Sequence, residues 1–268
     1  MIQKNLQHIM VYQHEIFNDF PELIQITTTR MGGYSSPPFD ALNLGENTAD
    51  DPELIERNTA LVKSDVSFLA RLEQYILPVQ VHGNNIVTIN EDFLNKDQEQ
   101  KELLLSSCDA LITSLPAVFI GIRTADCVPV TVYNKHSGII GVIHAGWRGI
   151  AKGIIGKTLK MMGVEHSPEN LFCGIGPCIE RDNYEVGQEV IDEIEKVLPG
   201  ESVWFIQNGS FYFDLKKAAR IQIEQVGVSG SNIESCTFCT WKNNTEFYSY
   251  RKENGNTGRF LTGMMIKS

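Results

Sequence analysis

The middle of the chain is a series of short apolar runs, rich in β-branched residues and separated by glycine, proline or polar positions. Apolar runs of about four to eight residues with such boundaries are typical of buried β-strands. We predict strands at PVQVH (78–82), NIVTI (85–89), AVFIGI (117–122), VPVTVY (128–133) and GIIGVIH (138–144). Only RTADC separates the third run from the fourth, which favours an antiparallel arrangement of these two strands.

Four further segments have the spacing of amphipathic helices, and they lie at 51–72, 148–163, 186–200 and 213–227. Asp51 and Asp214 are candidate N-caps, Pro52 suits a first helical position, and Gly163 is a helix stop. Strands and helices are intermixed, which indicates a layered α/β or α+β architecture with mixed sheets. The polar segment at 91–101 is interpreted as an exposed excursion.

Composition narrows the class of protein. The chain has 268 residues and a formal net charge of −10, so a polyanion such as nucleic acid is repelled on average. We find neither the roughly 20 apolar residues of a membrane span nor the apolar run of a signal peptide, and therefore expect a cytoplasmic protein without a membrane partner. The six cysteines are then interpreted as thiols, metal ligands or nucleophiles, because disulfides are rare in that compartment.

Three potential metal ligands stand at the ends of apolar runs. His82 and His144 each close a predicted strand and have a glycine within two residues, while Cys127 stands between two strands beside Asp126. Ligands scattered along the chain suit a catalytic metal better than a structural one, and three ligands leave a fourth position for water or substrate. A Cys–His nucleophile pair would explain Cys127 and one histidine about equally well.

Arginines beside glycines are the remaining candidates for chemistry. Arg30 precedes Gly32 and Gly33, Arg148 lies at the start of a predicted helix, and Arg251 is in a segment rich in polar residues. Arginine next to glycine-rich backbone suits phosphate or carboxylate, because the guanidinium donates two parallel hydrogen bonds. A helix N-terminus adds unpaired N–H groups for an anion.

The motifs together form a recognisable combination. They occur in the order TTRMGGYSSPPFDALNLG, QVHGNNI, CDALIT, RTADCVPV, HAGWRGI, GIGPCI with YEVG, and SYRKENGNTGR. In this combination the chain resembles the YfiH/YlmD family, also described as the laccase-domain or multicopper polyphenol oxidase family. The resemblance extends from about residue 20 to the C-terminus.

The resemblance implies a single layered α/β/α domain of the α+β type with mixed sheets, here over residues 1–268. It places the metal ligands, which are also the catalytic residues, at His82, Cys127 and His144, with zinc as the metal and copper as the alternative. It implies an enzyme that cleaves adenosine, inosine and methylthioadenosine with phosphate and deaminates adenosine. Arg30 and Asn43 match a segment that forms the nucleoside pocket in the family. From the arginine chemistry described above, Arg30 and after it Arg148 are the candidates to hold the phosphate, so Arg30, Asn43 and Arg148 are the expected substrate contacts.

Three other interpretations stay open at this stage. The older family label suggests a copper-dependent polyphenol oxidase, although six histidines are few for the trinuclear cluster of a multicopper oxidase. A Cys–His hydrolase would use Cys127 as the nucleophile and His144 or His82 as the base. A binding module would hold a nucleoside without turning it over.

Overall fold

The computed structural model describes residues 1–163 and 167–268 of the chain. Within them the strands, numbered β1 to β15 in chain order, are Ile2–Asn5, Met10–Gln13, Leu23–Thr28, Gln74–Ile76, Ile86–Ile89, Ala110–Thr113, Val118–Thr124, Val128–Asn134, Ile139–Ala145, Leu171–Ile175, Glu185–Val186, Trp204–Gln207, Ser210–Phe213, Ile233–Ser235 and Phe260–Ile266. The α-helices, numbered α1 to α7, are Pro52–Leu69, Glu91–Leu94, Gln98–Leu105, Trp147–Ala151, Ile154–Met161, Gln188–Glu195 and Leu215–Gln225. The predicted mixture of strands and helices is confirmed.

Two six-stranded sheets form the centre of the molecule. The first has the strand order β1-β2-β3-β15-β7-β4, and the second has the order β14-β10-β8-β9-β6-β5. Most neighbouring strands are antiparallel, but β4 with β7, β5 with β6 and β10 with β14 are parallel. Both large sheets are therefore mixed, as expected. The strands β11, β13 and β12 form a separate small sheet in that order.

The two large sheets pack face to face, and helices cover their outer faces. Ile120 and Ile122 of β7 and Leu111 and Val142 of the second sheet belong to the apolar cluster between the sheets. Helix α1 covers the first sheet, while α4 to α7 cover the second. Strands buried on both faces need apolar residues at nearly every position, which explains why these runs do not alternate with polar residues.

The predicted helix N-caps are confirmed, but one predicted helix is interrupted. The Asp51 side chain accepts a hydrogen bond from Glu53 N with Pro52 in the first turn, and the Asp214 side chain caps α7. The predicted helix at 148–163 is two short helices, α4 and α5. The break lies at Gly153, whose φ of 70° is in the left-handed region that terminates a helix.

One strand prediction is wrong because a side chain replaces the strand pairing. The run 78–82 is irregular: the Gln80 side chain accepts a hydrogen bond from Arg123 N and donates one to Arg123 O, at 2.8 and 2.7 Å. His82 then adopts a φ of 58°, which a strand excludes. Here the chain is held beside β7 by an amide side chain rather than by a backbone ladder.

The predicted antiparallel pair of β7 and β8 is also wrong. The two strands belong to different sheets, and the chain crosses between them at Asp126, which has a φ of 92°. The polar segment at 91–101 carries α2 and the start of α3. Helix α3 buries no side chain, but Phe93 of α2 is buried in the apolar cluster between the sheets, so only part of the segment is the expected exposed excursion. The single domain over residues 1–268 stays a prediction. Within the described residues, no helix combines the length and the apolar character that crossing a bilayer would require.

Candidate metal centre and the cavity around it

Three elements bring His82, Cys127 and His144 together. His82 lies in the irregular loop before β5, Cys127 directly precedes β8, and His144 is near the end of β9. One nitrogen of each histidine and the cysteine Sγ all lie within 4.8 Å of one another. The two imidazole rings meet edge to face with their centroids 4.8 Å apart. A thiolate with two imidazoles is a donor set that zinc accepts and that also suits copper, so the residues fit a metal.

The electrostatics of this cluster favour an ionised cysteine. Burial opposes ionisation of the Cys127 thiol, but attraction to His144 and hydrogen bonds with both histidines outweigh it and lower its pKa to about 6. Burial also disfavours a charged His144, yet the Cys127 sulfur and the Asp109 carboxylate raise the pKa of His144 to about 9. The thiolate is the form that binds metal, and it is equally the form that a Cys–His nucleophile pair would use.

The cluster lies in a cavity of about 570 Å³ whose walls carry positive charge. Four arginines line it: Arg123, Arg148, Arg251 and Arg259. The acidic residues on its walls are Glu46, which pairs with Arg123, and Asp126, which is hydrogen-bonded on both oxygens. A protein with a net charge of −10 thus has a cavity suited to an anion.

Three of the four cavity arginines lie against an aromatic ring of the same cavity. The Arg148 guanidinium is 4.3 Å from the Trp147 ring, Arg251 is 5.0 Å from Tyr184, and Arg259 is 5.4 Å from Tyr250. Arg251 also donates to Glu185 O, and Arg259 donates to two carbonyls of its own loop. The Arg148 guanidinium has no hydrogen bond or ion pair with the described residues.

A family model described as multi-copper polyphenol oxidoreductase laccase matches residues 24–267, nearly the whole chain. The chain belongs to this laccase family. The resemblance inferred from the motifs is confirmed, and residues outside the match are confined to the two ends.

Named relatives of this laccase-family chain are enzymes of nucleoside chemistry. A purine nucleoside phosphorylase of Bacteroides thetaiotaomicron is 35% identical over 258 residues, which cover 94% of this chain and 95% of the relative. A protein named adenosine deaminase, from an unknown prokaryotic organism, is 31% identical over 90% of this chain and 93% of its own length. The crystal structure of YlmD from Geobacillus stearothermophilus superposes with a TM-score of 0.87 and 29% identity, over 99% of this chain and 98% of that one.

Two expected substrate residues of the laccase-family chain have other partners. Arg30 lies outside the cavity, is 8% exposed, and donates to Asp40 O, to Asn244 O and to the Glu253 carboxylate. With a fourth hydrogen bond to the Asp40 carboxylate, these contacts join the segments at 40 and 244–253, and a contact between Arg30 and substrate stays a prediction. The glycine-rich backbone beside Arg30 was the signal that suggested anion binding.

Asn43 lies beneath the cavity wall and is fully buried. Its Oδ1 accepts hydrogen bonds from Gly45 N and Arg259 N at 2.9 and 2.8 Å, and its Nδ2 donates to Thr48 and Asp50. These hydrogen bonds use all the polar atoms of its side chain and position the wall residues at 45–48 and Arg259, and the expected contact between Asn43 and the nucleoside stays a prediction. The side chains that face the cavity come from those neighbours.

The carboxylate of Asp126 is also fully hydrogen-bonded within the protein. Its place beside Cys127 had suggested that it orients a metal ligand or acts as a base. One oxygen accepts from Thr240 and Ser249 at 2.6 and 2.7 Å, and the other accepts from Arg251 N at 2.7 Å. Burial nonetheless raises its pKa, because these hydrogen bonds only partly offset the cost of a buried charge. Asp126 therefore holds the segments at 240 and 249–251 against the site.

Sequence reasoning missed two cavity arginines that stand within the recognised motifs. Arg259 follows Gly258, so the presence of an arginine beside a glycine could have found it, whereas nothing next to Arg123 in RTADC marks a binding residue. Helix α4 has only five residues, so the anion affinity expected from a long helix N-terminus is not available to Arg148. The five cysteines other than Cys127 are buried and unpaired.

Proposed function

We propose that the chain is a zinc-dependent purine nucleoside-processing enzyme, acting as a transferase and a hydrolase. In the first reaction it cleaves adenosine, inosine and methylthioadenosine with phosphate to the base and a pentose 1-phosphate. In the second it deaminates adenosine to inosine. The relatives named phosphorylase and deaminase support both activities. The observation that carries the proposal is a three-ligand metal set and four arginines within one cavity.

The residues of the cavity divide between two tasks in this proposal. His82, Cys127 and His144 would hold the metal at the wall of the cavity. Bound zinc would supply a Lewis acid and lower the pKa of a coordinated water towards neutrality. The arginine side chains hold the phosphate anion through charge-assisted hydrogen bonds. By their charge they also stabilise the attacking phosphate or the purine that leaves as an anion.

The aromatic rings of the cavity are the proposed surfaces for the purine. Trp147, Tyr184 and Tyr250 line it beside the arginines. A flat base buries apolar area against such rings, while the adjacent guanidinium groups remain directed at phosphate. A volume of about 570 Å³ is within the range of small-ligand sites and is sufficient for a nucleoside with phosphate. The six cysteines, all unpaired, support the proposed cytoplasmic location.

The experiment measures bound metal and follows adenosine, inosine and methylthioadenosine with and without phosphate. Hypoxanthine released from inosine only with phosphate would establish phosphorolysis, and inosine formed from adenosine without phosphate would establish deamination. We expect Cys127→Ala to lose zinc and both activities, whereas Cys173→Ala, a buried cysteine away from the cavity, keeps them. Zinc-loaded protein that converts none of these nucleosides would refute the proposal.

A copper-dependent polyphenol oxidase is the second candidate, favoured by the description of the family model. Among residues 1–163 and 167–268, only one group of three metal-ligating side chains is assembled, whereas a multicopper oxidase needs further histidine-rich copper sites. Phenol-dependent oxygen uptake that persists after weakly bound copper is removed would favour this candidate. The Cys–His hydrolase instead predicts activity unaffected by chelators, and the binding module predicts tight nucleoside binding without turnover.

A further inference from the structure

Asp109 is a fully buried carboxylate that contacts two of the three metal-ligating residues. Its Oδ1 accepts hydrogen bonds from His144 Nδ1 at 2.7 Å and from the backbone N of His82 at 2.9 Å. Its Oδ2 accepts from Gly83 N at 2.7 Å and from Val81 N at 3.3 Å. Asp109 is not among the residues that line the cavity, so it acts on the site through its neighbours.

The contact with His144 decides which ring nitrogen is free. A carboxylate only accepts hydrogen bonds, so His144 Nδ1 carries the proton in this contact. The other nitrogen, Nε2, is then the one left to bind a metal. The ring cannot rotate without breaking the 2.7 Å hydrogen bond inside the protein, because the His144 side chain is only 4% exposed.

The contacts with 81–83 hold the second histidine. His82 has a φ of 58°, an unfavourable conformation for a residue with a side chain. Three successive amides, those of Val81, His82 and Gly83, point at the same carboxylate and offset this cost. His82 is exposed and its loop has no strand partner, but these hydrogen bonds tie the loop to Asp109, directly before the inner strand β6 of the second sheet.

The backbone of Asp109 is itself fixed between two neighbours. Its N donates to Asn85 O at 3.0 Å, and its O accepts from His144 N at 2.7 Å. The carboxylate therefore has little freedom to follow the loop or the ring, and both must adapt to it. Carboxylates in this position typically tune the basicity and orientation of a metal-bound imidazole.

We propose that Asp109 is the positioning residue of the metal centre, directing His144 Nε2 towards the metal and holding His82 in its ligating conformation. The inference rests on the metal site of the proposed function. It assigns no contact between Asp109 and substrate or metal. The chain contains a close counterpart outside the cavity: Asp65 is fully buried and accepts from His8 Nδ1 at 2.6 Å and from the backbone N of His8 and Ile9 at 3.0 Å.

Asp109→Asn and the matched control Asp65→Asn test the inference by zinc affinity in competition with a chelator. Asparagine has one accepting oxygen and a donating NH₂ group, so it cannot accept from both the histidines and Gly83 N. We expect Asp109→Asn to bind zinc about 10 to 100 times more weakly and to change the cobalt absorption spectrum of the site, while Asp65→Asn does neither. Equal zinc affinity in Asp109→Asn and wild type would overturn the inference.

A measurement on wild-type protein keeps the test valid even if Asp109→Asn does not fold. Nitrogen NMR of zinc-loaded, histidine-labelled protein should show His144 protonated on Nδ1 and coordinated through Nε2. The opposite tautomer would overturn the inference, and no destabilisation of the fold could produce that result. Wild-type protein that binds no zinc would instead refute the metal centre of the proposed function, which separates the two failures.

Discussion

Among the cavity arginines, Arg148 is the one whose replacement should weaken phosphate binding most selectively. Its guanidinium rests on the Trp147 ring at 4.3 Å and has no polar partner among the described residues. Arg148→Gln therefore leaves no buried group unpaired, and its effect measures the lost contact with substrate. A hydrogen bond to a charged group contributes about 1.5–3 kcal/mol, which corresponds to roughly 10- to 150-fold in binding.

The exposure of Arg148 places the expected effect at the lower end of this range, because solvent screens the interaction. We expect KM for phosphate to rise about tenfold in inosine phosphorolysis, with kcat changed less. Adenosine deamination without phosphate should keep its rate, because no anion is bound in that reaction. The assay is the initial rate of hypoxanthine formation as phosphate is varied at saturating inosine.

The matched control is Arg181→Gln. The Arg181 guanidinium also lies near an aromatic ring, 5.4 Å from Phe205, and pairs with Asp182, but it is not among the residues that line the cavity. Its replacement should leave both reactions unchanged. The reasoning fails if Arg148→Gln keeps the wild-type KM for phosphate, or if it slows deamination as much as phosphorolysis.

Two further predictions concern the metal site and pH. A Cβ on Gly146 would lie 3.0 Å from both Cys127 Sγ and His82 Cδ2. Gly146→Ala should therefore weaken zinc binding several-fold in a chelator titration. An unchanged zinc affinity would show that the two ligands can move aside without loss of binding. Burial lowers the pKa of His14 from 6.5 to about 4, despite the nearby Glu234 carboxylate. Between pH 6.5 and pH 4 the imidazole of His14 is therefore protonated in the unfolded chain but neutral in the folded protein. The free energy of unfolding should fall by ~3 kcal/mol from pH 6.5 to pH 4 for this reason, and His14→Phe should remove that part of the slope in urea titrations. An identical slope in the variant would contradict the assignment.

Much of the local structure could be predicted because its causes are local. Asp51 and Pro52 start α1 through contacts within the first turn, and Asp214 does the same for α7. The runs at 85–89, 117–122, 128–133 and 138–144 become β5, β7, β8 and β9. The last three are apolar at nearly every position because both of their faces are buried, whereas β5 is an edge strand with partly exposed side chains. The order of the motifs was also sufficient to recognise the family.

Predictions failed where a distant residue determines the conformation. The run 78–82 has the composition of a strand, but the Gln80 side chain bonds to Arg123, and Asp109 holds the loop at His82. Strand β15, at the C-terminal end, lies between β3 and β7 in the first sheet although more than 100 residues separate it from either one. The residues next to β15 in sequence do not indicate that β3 and β7 are its partners.

The sequence by itself determined the residue types of the site: two histidines and a cysteine at the ends of apolar runs, and arginines within the motifs. Only the tertiary structure decided which of these face one cavity, because orientation depends on hydrogen bonds between distant segments. It directs Arg148, Arg251 and Arg259 inward and commits Arg30 to Asp40 and Glu253. It also joins Asp109 to His144, a contact across 35 positions that no spacing rule predicts.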